Sequence, residues 1–206
     1  MGNLSGDAIT TGTQNVAYGA VSLTNNTTGD YNAALGYNAL SANTTADNNT
    51  AVGHNALTAN TTGTENSAVG SGSLRTNTTG DYNTAFGYEC LRLSTTSDQN
   101  TAMGYYALGA NTTGTLNTAV GSQALDANTT GNNLTAIGQL SLSGNTTANN
   151  NTAVGTSSLQ STTTGSENQA FGTYALTSNT TGAGNTSVGY NALGANTTAN
   201  YNTAGF

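Results

Sequence analysis

Residues 49–65 have the sequence NTAVGHNALTANTTGTE, and this 17-residue pattern recurs along the chain without insertion or deletion. Steps of 17 residues from Asn15 reach twelve positions, eleven of which are Asn, and the exception is Leu134. The consensus is N-T-A-V-G-x-x-A-L-x-A-N-T-T-G-x-x, in which the first Asn is position 1. This frame divides the chain into a degenerate first repeat at residues 1–14, eleven repeats at 15–201 and a truncated repeat at 202–206.

The constant repeat length predicts an all-β parallel solenoid, or β-roll. Loops tolerate insertions, whereas one extra residue in a stacked coil moves every side chain out of register. Helical repeats need at least about 20 residues, and Asn, Thr and Gly are poor helix formers. We therefore expect a rod of 17-residue coils, each with two short strands and two turns.

Each repeat contains recognisable turn and core positions. Position 5 is Gly in every full repeat, which indicates positive φ or a close backbone approach. Position 4 is always large and apolar and position 9 is always Leu, so we predict that both are core ladders. Asn-Thr-Thr-Gly at positions 12–15 is interpreted as the second corner, bonded to neighbouring coils and to its own turn. The representative residues are Gly53, Gly70 and Gly121 for the turn, and Val52, Leu57, Val69, Leu74, Leu108, Val120 and Leu125 for the core.

The predicted core is thin, because each coil supplies only two large apolar side chains. Small residues recur at positions 3 and 8, where they would let another backbone approach. This pattern favours several chains packed side by side, with a parallel homotrimeric rod as the expected form. Within such a ladder, we expect Leu108→Asp to be far more damaging than Asn111→Asp at the corner.

The composition argues against catalysis and several classes of partner. Charged residues are 5% of the chain, against about 25% in an average domain. The two cations, Arg75 and Arg92, cannot form a basic stripe, so we expect no nucleic-acid partner. No apolar run is long enough to span a membrane. His54 and Cys90 are expected about 10 Å apart, too far for a nucleophile and its base, so we expect no enzyme and no cofactor.

Two polar rows have a functional and a structural interpretation. Asp recurs at position 16, as in Asp30, Asp47, Asp81 and Asp98. Rows of carboxylates can hold calcium, but a single interrupted row favours solvated charges that limit aggregation, so we expect no metal. Asn-Thr-Thr also matches the N-glycosylation sequon, for example at Asn43 and Asn60, although a stacked polar ladder is the favoured interpretation.

Tyrosines are the candidate binding residues. Tyr31, Tyr37, Tyr82 and Tyr88 flank equivalent strand starts in two repeats. Exposed aromatic rings among Asn side chains suit stacking on sugar faces, such as a cell-surface glycan. The alternative, which we favour, is that these rings shield the rod or lie in the contact between chains.

The motifs Asn49-Thr50-Ala51-Val52-Gly53 and Asn60-Thr61-Thr62-Gly63 resemble repeats of known fibre proteins. The first motif is similar to the head repeats of trimeric autotransporter adhesins. The two motifs together are similar to arrays in tail-fibre-domain proteins of phages and bacteria. The resemblance covers nearly the whole chain and implies a parallel β-roll, a side-by-side trimer and an extracellular, cell-surface or virion location.

We therefore expect a non-enzymatic structural or adhesive fibre segment, either a phage tail-fibre shaft or a bacterial adhesin shaft. The first alternative is a self-assembling extracellular filament that stacks end to end, because the repeat register reaches both ends without a polar cap. The second alternative is an ice-binding solenoid. Adjacent Thr-Thr argues against it, because neighbouring strand residues point to opposite faces.

Overall fold

A computed structural model describes residues 4–205. They form one parallel sheet of twelve three-residue strands, arranged in chain order, and contain no helix. The strands are β1 (Val16–Tyr18), β2 (Ala33–Leu35), β3 (Thr50–Val52), β4 (Ser67–Val69), β5 (Thr84–Phe86), β6 (Thr101–Met103), β7 (Thr118–Val120), β8 (Thr135–Ile137), β9 (Thr152–Val154), β10 (Gln169–Phe171), β11 (Thr186–Val188) and β12 (Thr203–Gly205).

Each strand pairs with the next at an offset of one repeat. In β3 and β4, Ala51 lies beside Ala68 and Val52 beside Val69. The same register holds for every neighbouring pair, from β1–β2 to β11–β12. The prediction of an all-β parallel solenoid with 17-residue coils is confirmed.

The prediction of two strands per coil is wrong, because each coil contributes only one. The rest of the coil is made of turns and bends, although backbone bonds still join successive coils there. The N–H of Leu57 donates to the carbonyl of Ser73 at 3.0 Å, and the N–H of Thr61 donates to Thr78 at 2.9 Å. Hydrogen bonding between coils therefore continues around the circumference, beyond the sheet.

Each coil has left-handed residues at three positions outside its strand. Positions 7, 9 and 17 all have positive φ, with values of 56° at Asn55, 50° at Leu57 and 57° at Glu65. This conformation costs an L-residue roughly 1–2 kcal/mol, and it persists only where the surrounding structure enforces it. Stacking between coils therefore holds an unfavourable backbone in place at three points of each repeat.

The glycine at position 5 is required by both conformation and space. Gly53, Gly70 and Gly121 have φ of 134°, 132° and 137°, within the expected positive-φ range. A Cβ on Gly53 would lie 2.7 Å from the carbonyl carbon of Gly70 in the next coil. Any other residue would strain the backbone and push two coils apart at this corner.

The interior contains Leu at position 9 and small residues at positions 3 and 8. Leu57, Leu74, Leu108 and Leu125 are fully buried, as expected. Ala51, at position 3 of β3, is equally buried. Because neighbouring strand residues point to opposite faces, an inward position 3 directs positions 2 and 4 outward.

The assignment of position 4 to the core is therefore wrong. Val52, Val69 and Val120 are only partly buried on the outer face of the sheet, outside the core cluster. Phe86 at the same position is 54% exposed. The coil interior is too narrow for a second row of large side chains, so size did not indicate burial here.

The interchain role expected for the small residues is also wrong. Ala51 and Ala56, at positions 3 and 8, contribute to the core of their own coil and have no exposed surface. Their small size lets the two sides of one coil approach each other. A second chain has no access to them.

Buried Asn side chains connect the coils at position 1. Asn49 accepts a bond from the backbone N–H of Asn66 in the next coil at 3.0 Å. Its own N–H donates to Asn32 Oδ1 at 3.0 Å, and its Nδ2 donates to the carbonyl of Gly63 at 2.9 Å. Through its backbone N–H and its fully buried side chain, Asn49 thus links its coil to both neighbours and closes the corner.

A second Asn row, at position 12, meets the first row at the same carbonyl. Asn60 Nδ2 donates to Gly63 O at 2.8 Å and to Asn43 Oδ1 in the preceding coil at 3.1 Å. Gly63 O therefore accepts from both Asn49 and Asn60. The expected corner, bonded to its own turn and to its neighbours, is found here.

We predict that Leu108→Asp and Asn111→Asp both destabilise the rod strongly, by about 3 kcal/mol or more. This corrects the expectation that Asn111→Asp is mild, because Asn111 is fully buried. Its Nδ2 donates to Gly114 O at 2.9 Å, so a carboxylate there would face a carbonyl oxygen. Urea unfolding midpoints measure the effect.

The matched control is Thr113→Asp, which adds the same charge at an exposed position of the same corner. We expect its unfolding midpoint to stay close to that of the wild type. Equal midpoints for Asn111→Asp and Thr113→Asp would contradict the assignment of position 12 to the interior.

Candidate functional site

The four tyrosines predicted from the sequence lie at two places on the coil. Tyr31 and Tyr82 occupy position 17, while Tyr37 and Tyr88 occupy position 6. All four are about half exposed. Of these four rings, only the position-6 pair makes ring contacts within residues 4–205: Tyr37 stacks on His54, and Tyr88 joins a larger cluster.

The cluster consists of Tyr88, Tyr105 and Tyr106. Tyr88 and Tyr105 occupy position 6 of successive coils, and their rings are nearly parallel, with centroids 5.6 Å apart and an interplanar angle of 11°. Tyr106 meets Tyr105 edge to face at 4.6 Å and Tyr88 at 5.7 Å. The solenoid stacks equivalent positions on one another, so tyrosines one repeat apart come into contact.

Arg92 lies against one of these rings, and Arg75 is connected to it through Glu89. The Arg92 Cζ atom lies 5.4 Å from the centroid of Tyr106, in a cation–π arrangement. Glu89 lies between the cations, with Oε1 at 3.5 Å from Arg75 Nη1 and Oε2 at 3.8 Å from Arg92 Nε. One carboxylate therefore faces two guanidinium groups, so these three side chains together carry one net positive charge in a chain of net charge −7.

We call Tyr88, Tyr105, Tyr106, Arg75, Glu89 and Arg92 the aromatic–arginine patch. Sequence reasoning selected only Tyr88 from this group. A signal was present, because Arg75 and Arg92 both occupy position 10 and are one repeat apart. Their ladder places them on adjacent coils, next to the adjacent pair Tyr105 and Tyr106.

His54 and Cys90 lie apart in different environments. His54 is exposed and stacks on Tyr37 at 5.5 Å. Cys90 is fully buried at position 8, where its thiol donates to the carbonyl of Gly104. Desolvation by burial raises the pKa of the Cys90 thiol.

The Asp row at position 16 has a structural role that sequence reasoning missed. Asp47 Oδ1 accepts from the backbone N–H of Asp30 at 2.7 Å, and Asp98 accepts from Asp81 at 2.8 Å. Each carboxylate thus bonds the backbone of the preceding coil. Within residues 4–205, no group of three or more potential metal-ligating side chains occurs.

The sequon asparagines belong to the buried ladder. Asn43, Asn60 and Asn111 are all fully buried. Their Nδ2 atoms donate to position-15 carbonyls, including Ala46 O at 3.0 Å from Asn43. Attachment of a glycan would require these side chains to leave the coil interior.

Position 4 forms an apolar row on the outer face of the sheet. The row runs from Tyr18 in β1 to Val188 in β11, and its larger members are well exposed, with Phe86 at 54%, Met103 at 42% and Ile137 at 41%. Thr at position 2 lies beside this row on the same face in most coils. A continuous line of apolar side chains therefore follows the sheet along the rod.

Comparison with protein-family models, curated protein sequences and solved structures gave no match to this chain. In the part that the structure describes, no helix has the length and hydropathy needed to cross a membrane.

We predict that Cys90 reacts slowly with a thiol reagent in the native rod and rapidly after unfolding. Its thiol has no exposed surface, and its raised pKa lowers the thiolate fraction at neutral pH. The reaction with 5,5′-dithiobis(2-nitrobenzoate), followed at pH 8 with and without guanidinium, measures the difference. We expect at least about a hundredfold slower reaction in the folded state, because reaction requires local opening. Equal rates would contradict the placement of position 8 inside the coil.

Proposed function

We propose that this chain is a non-enzymatic structural segment of an extracellular fibre, on a bacterial surface or a virion, in which rods associate side by side. The observation that carries this proposal is the exposed apolar row at position 4. Contiguous exposed apolar surface on a folded protein marks a contact surface. Here it extends along the rod, which suits a partner of the same length and repeat.

A second copy of this chain fits the row best. Two rods with the same coil height can match their position-4 side chains coil by coil. Successive strands are about 4.8 Å apart, so the row from β1 to β11 provides a contact line roughly 48 Å long. The proposed number of chains is three, in keeping with the repeat resemblance, and the small residues at positions 3 and 8 have no part in the contact.

The surface chemistry suits a structural role better than an ice-binding one. Position 13 Thr hydroxyls are used within the rod, as when Thr61 Oγ1 donates to Thr78 O at 3.0 Å. In most coils the Thr at position 14, such as Thr62, is the single exposed Thr. On the sheet face, the Thr-rich position 2 lies beside position 4, where the side chains differ as much as Val69 and Phe86. The sheet face therefore lacks the uniform array of side chains that an ice-binding surface would need.

Side-by-side association predicts that charges on the position-4 row separate the chains. The variant Val120→Lys/Val154→Lys places two cations on the outer face of β7 and β9. Burying an unpaired charge in an interface is strongly unfavourable. We expect wild-type protein to sediment at three times the 20.5 kDa chain mass, and the variant to sediment at the chain mass.

The control is Thr130→Lys/Thr164→Lys, which makes the same charge change at exposed positions in the same two coils. We expect the control to keep the wild-type mass, and circular dichroism confirms that all three proteins are folded. A monomeric wild type at tens of micromolar, or a control that dissociates as fully as the position-4 variant, would contradict the proposal.

A further inference from the structure

The aromatic–arginine patch is the point where the surface departs most from the repeat. Every other coil presents uncharged or acidic residues at position 10, whereas two successive coils present Arg75 and Arg92. The only three-tyrosine cluster among residues 4–205 lies directly beside them. A rod needs neither feature for stacking, because the other coils stack without them.

The exposed parts of the patch combine apolar rings with polar groups. Tyr88 and Tyr105 are 47% and 53% exposed, so ring carbons and phenolic hydroxyls both reach solvent. The side chains of Arg75 and Arg92 are 40% and 32% exposed. The Nε atom of Arg92 is buried, so the exposed part of the Arg92 side chain consists of its other atoms.

The net positive charge of the patch favours an anionic ligand. Glu89 has only 11% of its side chain exposed and lies between the two guanidinium groups. It lies within 3.8 Å of both guanidinium groups but balances only one of the two positive charges. Guanidinium groups hydrogen-bond carboxylates in a planar, two-point geometry, so a carboxylate is the ligand group that fits beside Arg92.

The small area of the patch favours a small ligand over a protein partner. The tyrosines and arginines span three coils, which at about 4.8 Å per coil places the outermost coils roughly 10 Å apart. A protein partner needs about 800 Å² on each side, far more than six side chains of this patch offer. A pair of sugar rings matches this span.

We propose that the aromatic–arginine patch binds an acidic saccharide, a chain of pyranose rings that bear carboxylates. The C–H face of one ring packs on the Tyr88 and Tyr105 rings, and the carboxylate pairs with Arg92 and Arg75. The phenolic hydroxyls bond the sugar hydroxyls. This proposal stands independently of the fibre role, since the patch lies within a single chain and uses no residue of the position-4 row.

The test is binding of trigalacturonate and of its methyl ester to the intact chain, measured by isothermal titration calorimetry in low salt. The two probes share the same rings, and only the first carries charge. We expect the acid to bind about tenfold or more tighter than the ester, and to weaken as salt is raised. Equal affinity for the two probes, or no saturable binding of the acid, would overturn the proposal.

Three variants locate the site. Tyr105→Ala is expected to weaken binding of the acid about tenfold, and Arg92→Gln is expected to remove the preference for acid over ester. Tyr190→Ala is the matched control, because Tyr190 occupies the same position 6, is 75% exposed and lies five coils from Tyr105. We expect it to bind as the wild type does. An equal loss in Tyr190→Ala and Tyr105→Ala would place the binding elsewhere and refute the assignment.

Discussion

The structure depends on buried asparagine amides that converge on one carbonyl in most coils. In a typical coil, Asn66 and Asn77 donate to Gly80 O at 2.8 and 3.0 Å. Each amide also bonds a neighbouring coil, as when Asn66 Oδ1 accepts from the backbone N–H of Asn83 at 3.0 Å. A polar group in this interior is tolerated because its hydrogen bonds are made, and an inserted residue would break several of them together. The invariant repeat length follows from this constraint.

The same arrangement decides what can enter the interior. Two Asn side chains, a Leu and two small residues fill the cross-section, so larger apolar side chains lie on the outer face. Leu at position 9 reaches the interior only in a left-handed conformation, with φ near 50° along the whole row. Stacking on identical neighbours holds this conformation in place, which makes each coil dependent on the next. The exposed row at position 4 is the consequence, and it supplies the surface for the proposed side-by-side contact.

The period and the solenoid could be predicted from the sequence, because repetition at a constant length leaves few alternatives. The burial of Leu108 and the positive φ of Gly53 also followed from their invariance within the chain. The orientation of position 4 did not, because a large apolar side chain indicates burial only where the interior has room for it. The left-handed positions 7 and 17 were missed because their residue types vary widely and include few glycines.

The aromatic–arginine patch shows a different limit of sequence reasoning. Arg75 and Arg92 are the only cations in the sequence, and their equal repeat positions place them on adjacent coils. Tyr88 and Tyr105 are related in the same way, so the repeat register alone indicates that these residues lie close together. The position of Glu89 between the two guanidinium groups depends on side-chain conformations that the repeat pattern does not determine.

Hydrogen exchange of asparagine side-chain amides, followed by nitrogen-15 NMR, tests the central role of the Asn rows most directly. The account predicts slow exchange for the side-chain amides of buried Asn66 and Asn77, comparable with that of strand backbone amides. Exposed Asn48 and Asn150 serve as internal references and are predicted to exchange at rates close to those of a free peptide. Rapid exchange of all four side chains, in a sample whose strand backbone amides remain protected, would contradict the account.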